Sequence, residues 1–402
     1  MKKNLIFNLI ATGAFYFAQW YNIILLAKFT STYEVGAYMF LYALSMPIFY
    51  FFSMGLRNVV TSDKQLYKKT NMYIANRIMS VFLGVLCFFV LSFFYNDRIA
   101  FSILILFSLI KTLEFLSDIM YGFWQNKENF FLIALFQLTK VILLIIVSTF
   151  IIYKHGSLES LLISNLVIYS SIFVLEIKIF NKEFKVSFNF IYLLKSIKLY
   201  KTVLPLGFSF LLINMINNLP RFLLERFSDL KFVGIFSAIF FITMIGTVFM
   251  SSLTQVAIPK LRDFYNISDR SGFLGLLIKM AMLGLALASM MFFISIFFGK
   301  DILNFLYGPE YSKHYTLMIY FSLGLFFTYS TSFLSNAMIV INQYQLQMIS
   351  QIISIIILLI SLLLGLSFYG AESIGKIIAF SDFIRSLSLS ILFVVGYKLV
   401  HR

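Results

Sequence analysis

Apolar runs of about twenty residues, parted by short polar turns, fill this chain from end to end. A run of that length crosses the hydrocarbon core of a bilayer as one helix. Spans are expected near 5–27, 33–56, 72–95, 99–121, 130–153, 158–177, 203–225, 232–257, 273–298, 315–338, 345–369 and 374–397. The fold class is therefore all-α: a polytopic membrane protein with about twelve transmembrane helices and no room for a soluble domain. Composition agrees, since 60% of the 402 residues are hydrophobic and only 12% charged, against roughly 45–50% and about 25% in soluble domains. The opening MKKNLIFNLIATGAFYFAQW has a basic start and an apolar run but no small-residue cleavage site, so it reads as an uncleaved first helix. The single cysteine, Cys87, lies inside an apolar run and permits no disulfide framework.

With the N-terminus inside, most of the 32 lysines and arginines fall at one side of the membrane, among them Lys2, Lys3, Lys64, Lys68, Lys69, Arg77, Lys260 and Arg402. Lys28, Arg98, Lys154, Lys300 and Lys313 are among the fewer on the other side. The positive-inside bias then puts both termini in the cytoplasm. The net charge of +15 reflects that bias and attraction to anionic lipids, and its dispersal over separate loops argues against nucleic acid as a partner.

The longest hydrophilic stretch, 178–201, carries lysines between spans six and seven. It divides the chain into an N-terminal six-helix lobe (1–180), a basic linker (181–202) and a C-terminal six-helix lobe (203–402). Phe188, Phe190, Ile191, Leu193, Leu194, Ile197 and Leu199 among those lysines suit an amphipathic helix on the inner membrane surface.

The two lobes repeat one another. LLAKFTSTYEVGAYMF at 25–40 returns as LLERFSDLKFVGIFSA at 223–238, with Leu25, Leu26, Phe29, Val35 and Gly36 matching Leu223, Leu224, Phe227, Val233 and Gly234. Both copies lie where the first span of a lobe turns into the second. An even number of spans separates them, so the repeat is parallel, its pseudo-two-fold axis runs along the membrane normal, and a central cleft is expected.

Those turns, with Leu56-Arg57 closing span two, R-F-L-L-E-R-F ending span seven, Pro259-Lys260-Leu261 closing span eight and Tyr307-Gly308-Pro309-Glu310-Tyr311 in an outer loop, resemble the polysaccharide-exporter (Wzx) family. Its superfamily also holds multidrug antiporters and the lipid II flippase, and the resemblance covers essentially the whole chain. It implies alternating access in the bacterial inner membrane, moving undecaprenyl-diphosphate-linked oligosaccharide units outward for O-antigen or capsule assembly. It further implies no cofactor, coupling to H+ or Na+, and a polysaccharide polymerase and chain-length proteins as partners beside the membrane lipids. Where many relatives carry an acid before the basic residue of span seven, this chain has Pro220 before Arg221, so a charge pair there must use Glu225.

Charges inside spans are costly and mark function by default. Span four carries Lys111, Glu114 and Asp118 on one face. Lys140 of span five, at similar depth, is expected to neutralise Glu114 or Asp118. Two readings stay open: a self-satisfied set of pairs locking the two spans, or a lysine serving the diphosphate while Glu114 takes a coupling proton. Span seven lines up Asn214, Asn218, Arg221 and Glu225, and span one lines up Asn8, Thr12, Gln19 and Asn22. Amides donate and accept, which suits a sugar path, or equally interhelical bonding. Asp382 and Arg385 lie three apart on span twelve, as an intrahelical pair or a ligand clamp. A diphosphate needs cationic donors, and Arg57, Arg221 and Arg385 with Lys111 and Lys140 are the available set.

Trp20 and Trp124 are candidates for stacking on sugars, Trp124 being placed at a membrane edge as an interfacial anchor. His155, His314 and His401 show no metal-ligand spacing, and no phosphate-binding loop or nucleophile elbow occurs. A cation-coupled multidrug antiporter would want deep acids without basic partners. A polymerase or glycosyltransferase would want a large charged outer loop, and the longest here is 299–314.

Overall fold

Polar caps and left-handed turn residues end the helices, and each apolar run between them becomes one. The computed structural model describes residues 2–63, 66–95, 99–186 and 190–400, among which there is no strand. The first helices are α1 (Lys2–Phe29), α2 (Thr32–Ser53), α3 (Leu56–Ser62), α4 (Leu66–Ser92), α5 (Phe101–Asn126), α6 (Phe130–Leu143), α7 (Thr149–His155) and α8 (Leu158–Phe184). A wider π turn, Leu144–Ser148, joins α6 to α7. The remainder are α9 (Phe190–Phe227), α10 (Leu230–Asn266), α11 (Arg270–Tyr307), α12 (Pro309–Ser312), α13 (Tyr315–Thr331), α14 (Leu334–Val340), α15 (Tyr344–Tyr369) and α16 (Ile374–Val400).

Each expected span overlaps a long helix or helix pair. Among the described residues, ten helices are long and apolar enough to cross a membrane. The two other expected spans are α5, which carries Lys111, Glu114 and Asp118, and α10, whose apolar stretch Leu230–Met244 is shorter. The chain is a multi-pass membrane protein. Large apolar side chains such as Phe82, Ile146, Phe297 and Leu364 are exposed on the helices, as a lipid-facing surface requires. The outer loop expected at 299–314 is taken up by the end of α11 and by α12.

The chain divides into two compact units, Met1–Asn218 and Leu219–Arg402. The division falls inside α9 and not in the 181–202 stretch. Neither Gly nor Pro occurs between Phe190 and Leu204, so nothing separates the expected surface helix from span seven, and the two form one 38-residue helix. Phe188 of that expected helix lies outside the described residues.

In the first unit α1 runs along α6, α5 along α8 and α2 along α4, while α3 folds onto α5. An aromatic cluster in its core joins Phe123, Trp124, Phe136, Phe180 and Phe184. In the second unit α13 packs on α11 and α16, and α15 on α16. Phe273, Leu277, Phe333 and Phe393 share its core.

The repeated turn is repeated in structure. α1 ends at Phe29 and α9 at Phe227, their matched residues. Ser31 caps α2 by accepting from the Glu34 amide at 3.3 Å, and the equivalent Asp229 caps α10 by accepting from the Phe232 amide at 2.8 Å. Leu26 and Leu224, and Val35 and Val233, are fully buried pairs. Gly36 and Gly234 are buried as well.

Candidate functional site

The first unit gathers its charges around α5. At the first level Lys111 Nζ lies 2.7 Å from Glu114 Oε2, three residues on along the same helix. Gln19 of α1 donates its amide to Glu114 Oε1 at 3.2 Å, and Tyr169 of α8 hydrogen-bonds to the same carboxylate. The Lys111 ammonium also sits over the Tyr42 ring, 4.7 Å from its centroid. Asn22, a turn further along α1, is buried and hydrogen-bonds to Tyr38.

One turn below Glu114, Asp118 is shared by two arginines. Arg57 Nη1 reaches Asp118 Oδ1 at 3.0 Å, and Arg77 Nη2 reaches Oδ2 at 3.2 Å. Arg57 also donates Nε and Nη2 to the Gln125 side-chain oxygen at 3.3 and 3.0 Å. Local backbone puts it there. Met54 (φ 49°) and Gly55 (φ 60°) are both left-handed, which breaks the helix between α2 and α3 and turns Arg57 toward α5. Gly122 then lets the arginine stem lie against α5, because a Cβ there would stand 3.1 Å from Arg57 Cγ. Beside this cluster the Tyr200 hydroxyl is 3.2 Å from the Phe52 carbonyl and 3.1 Å from Ser80 Oγ. Burial raises its pKa above the usual 10.0, and it stands there as a neutral phenol.

The third grouping corrects an expectation. Lys140 pairs with neither Glu114 nor Asp118 but with Glu176 of α8, at 2.9 Å. Ser117 and Tyr121 donate to the same carboxylate, each at 2.5 Å, and Lys140 and Glu176 are both buried. The reason lies in helix length. α8 continues to Phe184, so Glu176 is a turn and more inside it, on the stripe Ile172, Glu176, Phe180, Phe184 that packs against α5.

Glu176 and Arg77 are the two residues that sequence reasoning missed. Both fell near the end of a span drawn too short: Glu176 beside residue 177, and Arg77 five residues after residue 72. The four-residue spacing of Glu176 with large apolar side chains was the available signal. Trp124 is also corrected. It is fully buried, stacks on Phe136 with centroids 5.5 Å apart and donates its indole N–H to Glu183 at 3.0 Å, so it is a core residue and not an interfacial anchor.

The α9 stripe turns inward on its own helix. Asn214 donates to the Phe210 carbonyl at 2.8 Å and Asn218 to the Asn214 carbonyl at 2.9 Å. In the second unit Arg221 is buried, donates Nε to Ser237 Oγ at 3.0 Å and lies over the Phe240 ring. Glu225 is buried one turn on. On α16, Arg385 Nη1 and Asp382 Oδ1 form an intrahelical pair at 2.9 Å.

Arg57 and Asp118 thus differ from the other charges. Each is about one-third exposed (32% and 33%), whereas Lys111, Lys140 and Arg221 are buried. Two guanidiniums share one carboxylate, Arg57 partly exposed and Arg77 buried behind it, so the cluster as a whole carries one positive charge in excess, which suits recognition of an anion.

A family model described as polysaccharide biosynthesis protein matches residues 1–264. Over 395 residues the chain is 27% identical to the capsular polysaccharide biosynthesis protein CapF of Staphylococcus aureus, spanning 96% of this chain and 98% of that one. Its fold is similar to the lipid II flippase MurJ in an inward closed conformation, with a TM-score of 0.76 at 18% identity over 96% of this chain and 87% of that one. An inward-facing multidrug resistance MATE family transporter of the MOP superfamily is similar with a TM-score of 0.70 at 11% identity, over 98% and 94% of the two chains. At such identities these two likenesses speak for the fold, an all-helical transporter fold of two lobes.

Proposed function

The chain belongs to the polysaccharide biosynthesis protein family, and from that premise we propose that it is a flippase, not an enzyme. It carries undecaprenyl-diphosphate-linked oligosaccharide units across the bacterial inner membrane by alternating access, for capsular or O-antigen polysaccharide. Both termini face the cytoplasm. The observation that carries the reading is the Arg57–Asp118–Arg77 cluster, two arginines on one carboxylate, with Arg57 and Asp118 about one-third exposed and Arg77 buried behind them. The diphosphate is the one part of such a cargo whose charge is constant whatever the sugars, so a fixed cationic site serves it. A relative named for capsular polysaccharide biosynthesis and a like-folded lipid II flippase support the same reading.

Pairing of the deep acids favours this over a cation-coupled drug antiporter. Glu114, Asp118, Glu176 and Asp382 each have a basic partner within 3.2 Å. Coupling to H+ or Na+ belongs to the proposal. Polymerase and chain-length proteins are its proposed partners downstream. A strain lacking the chain is expected to accumulate lipid-linked repeat units inside the cell and to recover surface polysaccharide on complementation. Full recovery by Arg57→Gln at equal protein level would remove Arg57 from the cargo site. Altered drug tolerance without such accumulation would favour the antiporter.

A further inference from the structure

Arg77 is a buried cation whose hydrogen bonding is incomplete. Its side chain is 1% exposed and Nη2 binds Asp118, but Nε and Nη1 find no acceptor among the described residues. The Phe115 ring lies 6.0 Å from its guanidinium carbon and offers no oxygen. Unmade bonds on a buried charged group are costly. Arg57, by contrast, has all three of its nitrogens engaged by Asp118 and Gln125. The two arginines meet at one carboxylate, with one oxygen for each, and that carboxylate is one-third exposed.

The geometry points to Asp118 as an internal stand-in for a phosphate, and to Arg77 as a second, reserve ligand of the cargo diphosphate. A phosphate presents two oxygens at nearly the separation of a carboxylate's, and the diphosphate as a whole carries two charges to the carboxylate's one, with further acceptor oxygens on its second phosphate. When Asp118 swings away, the anion takes its two contacts, and its remaining oxygens reach the Nε and Nη1 donors of Arg77. Asp118 keeps the two guanidiniums apart and oriented while no cargo is bound. Binding is weakened by the fraction of time that it holds them. This inference rests on the flippase reading above.

The test is binding of farnesyl diphosphate to the full-length protein in lipid nanodiscs. Asp118→Asn removes the competing charge and is expected to tighten binding about three- to tenfold over wild type. Asp118→Ser, which leaves a smaller side chain, is expected to act in the same direction and serves as the second variant. Arg77→Gln combined with Asp118→Asn removes both charges together, and is expected to bind about tenfold more weakly than Asp118→Asn alone. Inorganic pyrophosphate is expected to bind more weakly than farnesyl diphosphate to every form; equal affinity would make the ligand a soluble anion and overturn the assignment. If folded Asp118→Asn and Asp118→Ser bind as wild type does or less tightly, Asp118 is a strut and the inference fails. If Arg57→Gln weakens binding while the Arg77→Gln/Asp118→Asn pair matches Asp118→Asn, Arg77 is no ligand and only this inference fails. If no form binds farnesyl diphosphate, the diphosphate reading falls with it.

Discussion

Lys140 and Glu176 stand 2.9 Å apart, on α6 and α8, where neither side chain meets solvent. Ser117 and Tyr121 complete the carboxylate's hydrogen bonds, so the pair fastens three helices of the first unit. Removing one partner leaves a buried charge alone. Glu176→Leu is expected to lower stability by about 3–5 kcal/mol, and Lys140→Met with Glu176→Leu to recover most of it. Thermal unfolding of the detergent-solubilised protein checks this. A double variant no more stable than the single one would mean that Lys140 is not the counter-charge of Glu176.

Gly122 is the seat of the Arg57 stem. A Val side chain there must displace Arg57, whose Cγ lies 3.1 Å and Cα 3.4 Å from the added Cβ. Gly122→Val is expected to reduce surface polysaccharide by about tenfold or more with little change in protein level, because small misplacements of a binding group are costly. Gly84→Ala, whose Cβ meets Phe49 at an ordinary 3.4 Å, is the control and is expected to act as wild type.

The break before Arg57 depends on Gly55. At φ 60° a Cβ costs about 1–2 kcal/mol, and here it would also lie 2.6 Å from the Phe210 ring. Gly55→Ala is expected to lower the melting temperature clearly. Adding Phe210→Ala should relieve the clash and leave the backbone cost, less the packing that Phe210 supplies. A harmless Gly55→Ala would show that the α2–α3 break is not held by this residue.

Much of this architecture was legible in the chain because bilayer physics is simple: length and apolarity gave the spans, and the doubled turn gave the lobes. The caps Ser31 and Asp229 and the buried Val35 and Val233 repeat in structure as they do in sequence. Partner choice was not legible. Lys140 lies at a depth where Glu114, Asp118 and Glu176 all compete, and only the packing of α5 against α8 selects Glu176. Arg77 looked like a boundary residue because hydropathy falls where α4 begins, although the helix starts earlier, at Leu66. The amides of Asn214 and Asn218 looked free to meet sugars, yet each can bond the carbonyl four residues back in its own helix, a local choice that spacing does not reveal.

Orientation has its own test. In a Cys87→Ser background, Lys154→Cys, exposed at the end of α7, is expected to react with an impermeant maleimide in intact cells. Ser268→Cys, exposed between α10 and α11, is expected to react only after permeabilisation. The opposite pattern would place the termini outside and invert the direction of transport proposed.

The most direct measurement is translocation itself. Proteoliposomes holding the purified chain and a fluorescent undecaprenyl-diphosphate oligosaccharide are treated with an impermeant glycosidase, and the protected fraction is followed. The account predicts that the wild-type chain brings the protected half of the lipid into reach of the enzyme, that Arg57→Gln slows this about tenfold or more, and that empty liposomes keep half protected. Protection that stays at one half with folded wild-type protein, under both proton and sodium gradients, would contradict it.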